Sequence, residues 1–134
     1  EDSPLGKKVK AALDIGNLVD DETTYGLVDK HLKKITTGFV VDGFPRTIAQ
    51  AQKEPFSIDR IVYLNLPDEE AVRRLVSRGR EGETEDVITE RLKVYHEDTE
   101  PILEHYLSQG KLVEVDGMPP IEEVQQDILK RLHD

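Results

Sequence analysis

Arg46 is the residue whose setting most clearly suggests chemistry. It lies in Gly38–Gln50, GFVVDGFPRTIAQ. A guanidinium presents two parallel N–H donors in a planar fork, which matches the edge of a phosphate. The apolar run Phe39-Val40-Val41 leads into Asp42-Gly43, Phe44-Pro45-Arg46-Thr47 turns the chain, and Ile48-Ala49-Gln50 begins a helix. A β-branched run that ends in an acid and a glycine is how a buried strand reaches the mouth of an α/β sheet. Ligands bind at such mouths in open α/β folds. The plain alternative is a surface arginine in a turn. A second set, Arg73, Arg74, Arg78 and Arg80, crowds one helix end and the loop after it, with Arg91 further along. Taken alone, that set reads as a solvated basic face paired with nearby acids such as Glu69 and Glu70. His96 and His105 are expected at the surface, and no His, Cys or Asp cluster has metal-ligand spacing.

The elements that must position these residues follow from periodicity and caps. Ser3-Pro4 suits a helix start, with Leu5, Val9, Ala12 and Leu13 inward and a stop at Gly16-Asn17. Asp20 or Asp21 can cap a second helix to about Lys34, whose last turn is basic. Gly38–Val41 is expected as the first strand, followed by a short helix from about Thr47 to Gln52. Arg60–Leu66, RIVYLNL, reads as a second, buried strand. Pro67-Asp68 opens a helix through about Arg78. After a break at Gly79–Glu83, Thr84 starts a long helix to Gln109, kinked or restarted at Pro101, with Thr99 as its cap. Gly110 stops it. Lys111–Val115 is a third strand, and Pro119-Pro120 leads into a last helix with Ile121, Val124, Ile128 and Leu132 on one face. Strands alternating with helices imply parallel pairing through crossovers, hence an α/β fold with helices on both faces.

Composition bounds the class. The chain has 134 residues, enough to bury roughly 65–70% of its unfolded surface without staples. Hydrophobic residues are 37% and charged residues 34%, a polar but globular balance. A net charge of −10 argues against nucleic-acid or anionic-membrane partners, which need basic surfaces. It does not argue against a nucleotide pocket lined by local arginines. No cysteine is present, so disulfides and thiolate chemistry are excluded, and the chain fits a reducing, cytoplasmic compartment. No stretch approaches the ~20 apolar residues of a membrane span.

Asp42-Gly43-Phe44-Pro45-Arg46-Thr47, followed by Gln50, resembles the nucleoside monophosphate kinases, adenylate kinase above all. The resemblance implies a parallel-sheet P-loop kinase fold and phosphoryl transfer from ATP to AMP. It implies that Arg46 grips the acceptor phosphate and Gln50 reads the base edge, with the backbone at Gly43, Phe44 and Pro45 close to the base. Asp42 would hold water ligands of the Mg²⁺ that accompanies ATP. Gly16–Glu22, GNLVDDE, resembles the family's acceptor-nucleotide segment, with Asp20 in place of a proline; Asn17, Leu18 and Val19 would line the AMP base. The arginine series resembles the donor-side and lid arginines. Arg74 would stack on the ATP base and Arg78 bind phosphate. Arg80 and Arg91 would meet the AMP side and the transferring group, whose equatorial oxygens spread charge that cations stabilise. Arg91–Tyr106 resembles the family's Tyr-x-x-x-Thr-x-Pro helix. Val115–Val124 resembles its last strand and helix, placing backbone near Pro119 against the donor adenine.

The resemblance covers nearly the whole chain, as one domain with an acceptor subdomain at about 1–37 and a short lid loop at about 79–84. Two family segments are absent from the sequence: the strand with its Gly-x-x-Gly-x-Gly-Lys loop, and Thr-Gly-Asp-Leu-Leu-Arg. Glu1–Gly6 resembles the residues after the second of these. The expectation is therefore a fragment of a longer kinase, with supply of the missing segment in trans or by a dimer as the alternative. The strand it lacks would leave a gap between Gly38–Val41 and Arg60–Leu66. In the lid, Gly82 and Glu83 stand where the family has Asp-Asp. Two rivals remain at this point: a non-catalytic nucleotide-binding module or partner subunit, and a UMP/CMP kinase.

Overall fold

Local sequence signals set most helix ends, while the sheet depends on which strands find neighbours. The structure, a computed structural model, describes residues 4–14, 21–54 and 56–133. The chain divides into two units, Glu1–Ser57 and Ile58–Asp134.

The first unit is helical. Helix α1 (Pro4–Asp14) opens on a proline, whose missing N–H belongs to an otherwise orphan position. It packs against α2 (Asp21–Leu32). Lys30 and His31 lie in the last turn of α2, where cations suit the helix dipole. Beyond it the chain unwinds through single turns, with the Ile35 N–H donating to the Leu32 carbonyl at 2.9 Å. Helix α3 (Ile48–Gln52) is capped by Thr47. The unit's apolar centre is aromatic. Phe44 is buried and meets Tyr25 edge-on at 6.3 Å and Phe56 at 5.9 Å, while Phe39 meets Phe56 at 5.1 Å. Ala51 and Thr23 are buried with it.

Gly38–Val41 is not a strand here. The segment joins no sheet, and Val40 is 98% exposed. An apolar, β-branched run favours extended backbone, but a strand forms only when a neighbour pairs with its N–H and C=O groups. The run instead contributes Phe39 to the aromatic cluster.

The second unit holds a parallel pair, β1 (Ile61–Asn65) and β2 (Leu112–Asp116), in the register Ile61↔Leu112 to Asn65↔Asp116. The Ile61 N–H donates to the Lys111 carbonyl and the Gly117 N–H to the Asn65 carbonyl, extending the ladder at both ends. Between the strands run α4 (Asp68–Arg78), α5 (Glu85–Val94), a π-helical turn (Tyr95–Thr99) and α6 (Pro101–Ser108); α7 (Ile121–His133) follows β2. Ile88, Ile102, Tyr106 and Val115 are the buried centre, with Ile58. Helix α4 starts behind Pro67 with Asp68, Glu69 and Glu70 in its first turn and ends at Gly79, whose N–H donates to the Val76 carbonyl. Thr84 caps α5, accepting from the Val87 N–H at 3.3 Å.

Two further expectations need correction. The strand read as buried over Arg60–Leu66 is shorter and half open: Ile61 and Tyr63 are half-buried, while Val62 and Leu64 are exposed. Such alternation belongs to a sheet covered on one face rather than two. Thr99 is not a cap. The chain stays helical through Glu100, so no extended residue is available for a hydroxyl to serve as cap. Pro101 lacks an N–H, and its ring crowds the carbonyl four residues back. The π turn accommodates it: the Glu100 N–H reaches five residues back to the Tyr95 carbonyl at 2.8 Å.

Candidate functional site

In the first unit, the turn before α3 is knotted around Arg46. Gly43 has φ +83°, a backbone state that favours glycine. The Arg46 side chain folds back over it, donating from Nε to the Gly43 carbonyl at 2.8 Å. A Cβ on Gly43 would lie 2.9 Å from Arg46 Nη2. The Arg46 backbone N–H donates to Gln50 Oε1 at 2.7 Å, and the Gln50 N–H donates to Thr47 Oγ1 at 3.2 Å. Thr47-x-x-Gln50 is thus a variant of the capping box, with the glutamine serving the residue before the cap. Gln50, Phe44 and Pro45 are buried, and the Phe44–Pro45 peptide is cis. Asp42 is exposed. A guanidinium exposed at a turn held this firmly is pre-aimed, which lowers the entropy cost of gripping an anion.

In the second unit the arginines converge on two carboxylates. Glu70 accepts from Arg73 Nε at 2.8 Å and Nη2 at 2.6 Å, and from Arg74 Nε at 2.8 Å. Arg73 and then Arg74 hold the Glu70 carboxyl down to about 2. Arg74 also donates to the carbonyls of Gly117 and Met118, at 2.8 and 3.0 Å. It is thereby pinned to the loop that leads into Pro119. Glu83 accepts from Arg78 Nη2 at 2.8 and 2.7 Å and from Arg91 Nη1 at 2.7 Å. Hydrogen bonds from Arg78 and then Arg91 push the Glu83 carboxyl below the usual carboxylate range, so it stays ionised. Arg80 is exposed in the loop between α4 and α5, and its carbonyl accepts from the Glu83 N–H at 3.1 Å. The unit can therefore hold an anion between two guanidinium groups carried on different helices.

The adenylate kinase family profile matches residues 1–111. The chain belongs to the adenylate kinase family. It is 40% identical to the adenylate kinase of Prochlorococcus marinus (strain MIT 9303), over 97% of this chain and 75% of that protein. It is 41% identical to that of Maricaulis maris (strain MCS10), over 97% of this chain and 76% of the relative. With the adenylate kinase of Nocardia farcinica (strain IFM 10152) the identity is 36%, covering 98% and 77%. The chain is accordingly a nucleoside monophosphate kinase-type transferase by family, and its α/β architecture with a short parallel sheet covers part of the P-loop kinase fold.

Within this family frame, the structure brings Arg78 and Arg91 together on Glu83, and Arg74 onto the loop before Pro119. Arg46, Gly43 and Gln50 form one knot. Asn17, Leu18 and Val19 lie outside the described residues. Sequence reasoning gave Thr47 no role of its own, and it placed Glu83 only as standing, with Gly82, where the family has Asp-Asp. Thr47 was signalled by the Thr-x-x-Gln spacing. The pairing of Glu83 with Arg78 and Arg91 had no local signal, since these partners lie five residues before and eight after it. Glu70 was visible as a potential partner at i+3 and i+4.

Proposed function

We propose that this chain carries the acceptor and arginine-lined parts of a kinase that transfers the γ-phosphoryl of Mg·ATP to AMP, giving two ADP. The transfer is direct and in line, with no covalent enzyme intermediate, and is driven by positioning and charge. The observation that carries this reading is the convergence of Arg78 and Arg91 on a single anionic group in a member of the adenylate kinase family.

In this reading Arg46 grips the AMP phosphate, and Gln50 with the Gly43-Phe44-Pro45 backbone frames the base beside Asn17, Leu18 and Val19. Arg78, Arg80 and Arg91 neutralise the transferring phosphoryl group, and Arg74 and Pro119 flank the ATP base. No group of three or more His, Cys, Asp or Glu side chains suited to a metal occurs among the described residues. The magnesium would arrive on ATP's phosphates, with Asp42 holding its waters. No helix among the described residues is long and apolar enough to cross a membrane. The reading includes a cytoplasmic site of action and no nucleic-acid or membrane partner.

A second reading is a nucleotide-binding module or partner subunit with no chemistry of its own. A coupled ADP assay and calorimetry on the 134-residue chain separate the possibilities. We expect AMP binding, weak ATP binding and negligible turnover by the chain alone. Turnover appearing when a polypeptide bearing the Gly-rich loop is added would favour the kinase reading. Tighter binding of UMP or CMP than of AMP would make this a UMP/CMP kinase instead.

A further inference from the structure

We propose that Glu83 is an internal anion that occupies the phosphate position between Arg78 and Arg91 and must be displaced before a substrate phosphate can bind there. The proposal rests on the reading of Arg78 and Arg91 as phosphate ligands.

The geometry is that of an occupied anion site. Both Glu83 oxygens are engaged, in three hydrogen bonds of 2.7–2.8 Å from two guanidinium groups. The Glu83 side chain is only 8% exposed, whereas those of Arg78 and Arg91 are 38% and 48% exposed. The carboxylate is sunk between its partners, and the arginines keep an open side from which an incoming oxyanion can approach. Carboxylate and phosphate compete for the same fork of donors. A phosphate carries more charge and a third oxygen, so it can replace the carboxylate without leaving either guanidinium unpaired.

The loop is built to let Glu83 go. Gly82 precedes it at φ +78°, so the backbone there can reorient without a Cβ penalty. Thr84 follows as the cap of α5 and keeps the helix start fixed while Glu83 swings out. Arg78 on α4 and Arg91 on α5 stay on their helices. The device is an equilibrium between a plugged and an open arginine pair. A ligand that binds only the open form loses apparent affinity in proportion to the plugged fraction, about tenfold if the plug is in place roughly nine times in ten.

Inorganic pyrophosphate, titrated calorimetrically into the 134-residue chain at low salt without metal, is the probe. Glu83→Gln keeps the side chain's size and removes its charge, so pyrophosphate should bind about tenfold more tightly. The same variant should unfold at a lower temperature, because its ion pairs are gone. A merely structural role would move affinity and stability in the same direction, so the opposed signs are the signature. Glu83→Asp, one methylene shorter, should tighten binding less, and it stands in if the glutamine variant does not fold. Glu81→Gln makes the same charge change in the same loop and should leave affinity unchanged. Unchanged or weaker binding by both Glu83 variants, equal tightening by Glu81→Gln, or no measurable binding by any form overturns the proposal. Arg78→Ala and Arg91→Ala test the underlying reading separately. If neither weakens pyrophosphate binding, the arginines are not phosphate ligands, whatever Glu83 does.

Discussion

At the scale of single residues, the proposed chemistry depends on how the arginines are held. Arg46 is tied to its own turn by the Gly43 carbonyl and by Gln50, while Arg78 and Arg91 share Glu83. Gly43 is where this can be tested with least disturbance elsewhere. An alanine there must adopt a left-handed backbone, at about 1–2 kcal/mol, and its Cβ would meet Arg46 Nη2 at 2.9 Å. The guanidinium is the far end of a flexible side chain and will move. We therefore expect Gly43→Ala to lower unfolding free energy by about 1 kcal/mol in a urea titration, and to weaken AMP binding because Arg46 loses its aim. Unchanged stability together with unchanged AMP affinity would count against the knot. The Asp42-Gly43-Phe44-Pro45-Arg46-Thr47 motif was legible because every residue in it acts within a few positions of the chain. The Glu83 bridge was not, because no helical spacing links 78, 83 and 91; only the packing of α4 against α5 brings them together.

At the scale of elements, caps and breakers did most of the work that sequence could report. Pro67 with its acids, Thr84 and Gly110 mark ends that the structure keeps. The π turn escaped, since a proline inside a helical pattern can break, kink or widen the helix, and only the surroundings choose. That turn also carries a clamp. His96 bridges Asp68 at the start of α4, at 2.7 Å from Nε2, and Glu100 before α6, from Nδ1. The Tyr95 ring lies edge-on beside it at 5.2 Å. Hydrogen bonding to Glu100 and then Asp68 raises the His96 pKa above its ordinary value. The charged imidazolium is thus favoured in the folded state. Its contribution is complete below the unfolded histidine value of about 6.5 and fades as pH rises through the elevated folded value. The melting temperature should therefore fall as pH rises above about 6.5, and His96→Gln should flatten that slope. A wild-type slope retained in the variant would rule out the clamp. The clamp is exposed, so its effect should also shrink with added salt.

At the scale of the whole chain, legibility was uneven for one physical reason. Helices satisfy their own backbone, and their ends could be read from the sequence. Strands need neighbours, and the apolar run Phe39-Val40-Val41 has none among the described residues, so it is not a strand. The β1–β2 pair did form, in the parallel sense that alternating helices and strands imply. The net charge of −10 makes the account sharper, because a phosphate approaches an overall negative protein. Binding must then come from local guanidinium groups rather than from the field of the whole molecule. The most direct measurement is calorimetric titration of AMP into the 134-residue chain and into its Arg46→Ala variant at low salt. The account predicts measurable AMP binding that weakens by about 1.5–3 kcal/mol, the range for hydrogen bonds to charged groups, in a variant that still unfolds cooperatively. Equal affinity in the two proteins, or no AMP binding by the wild type, would contradict it.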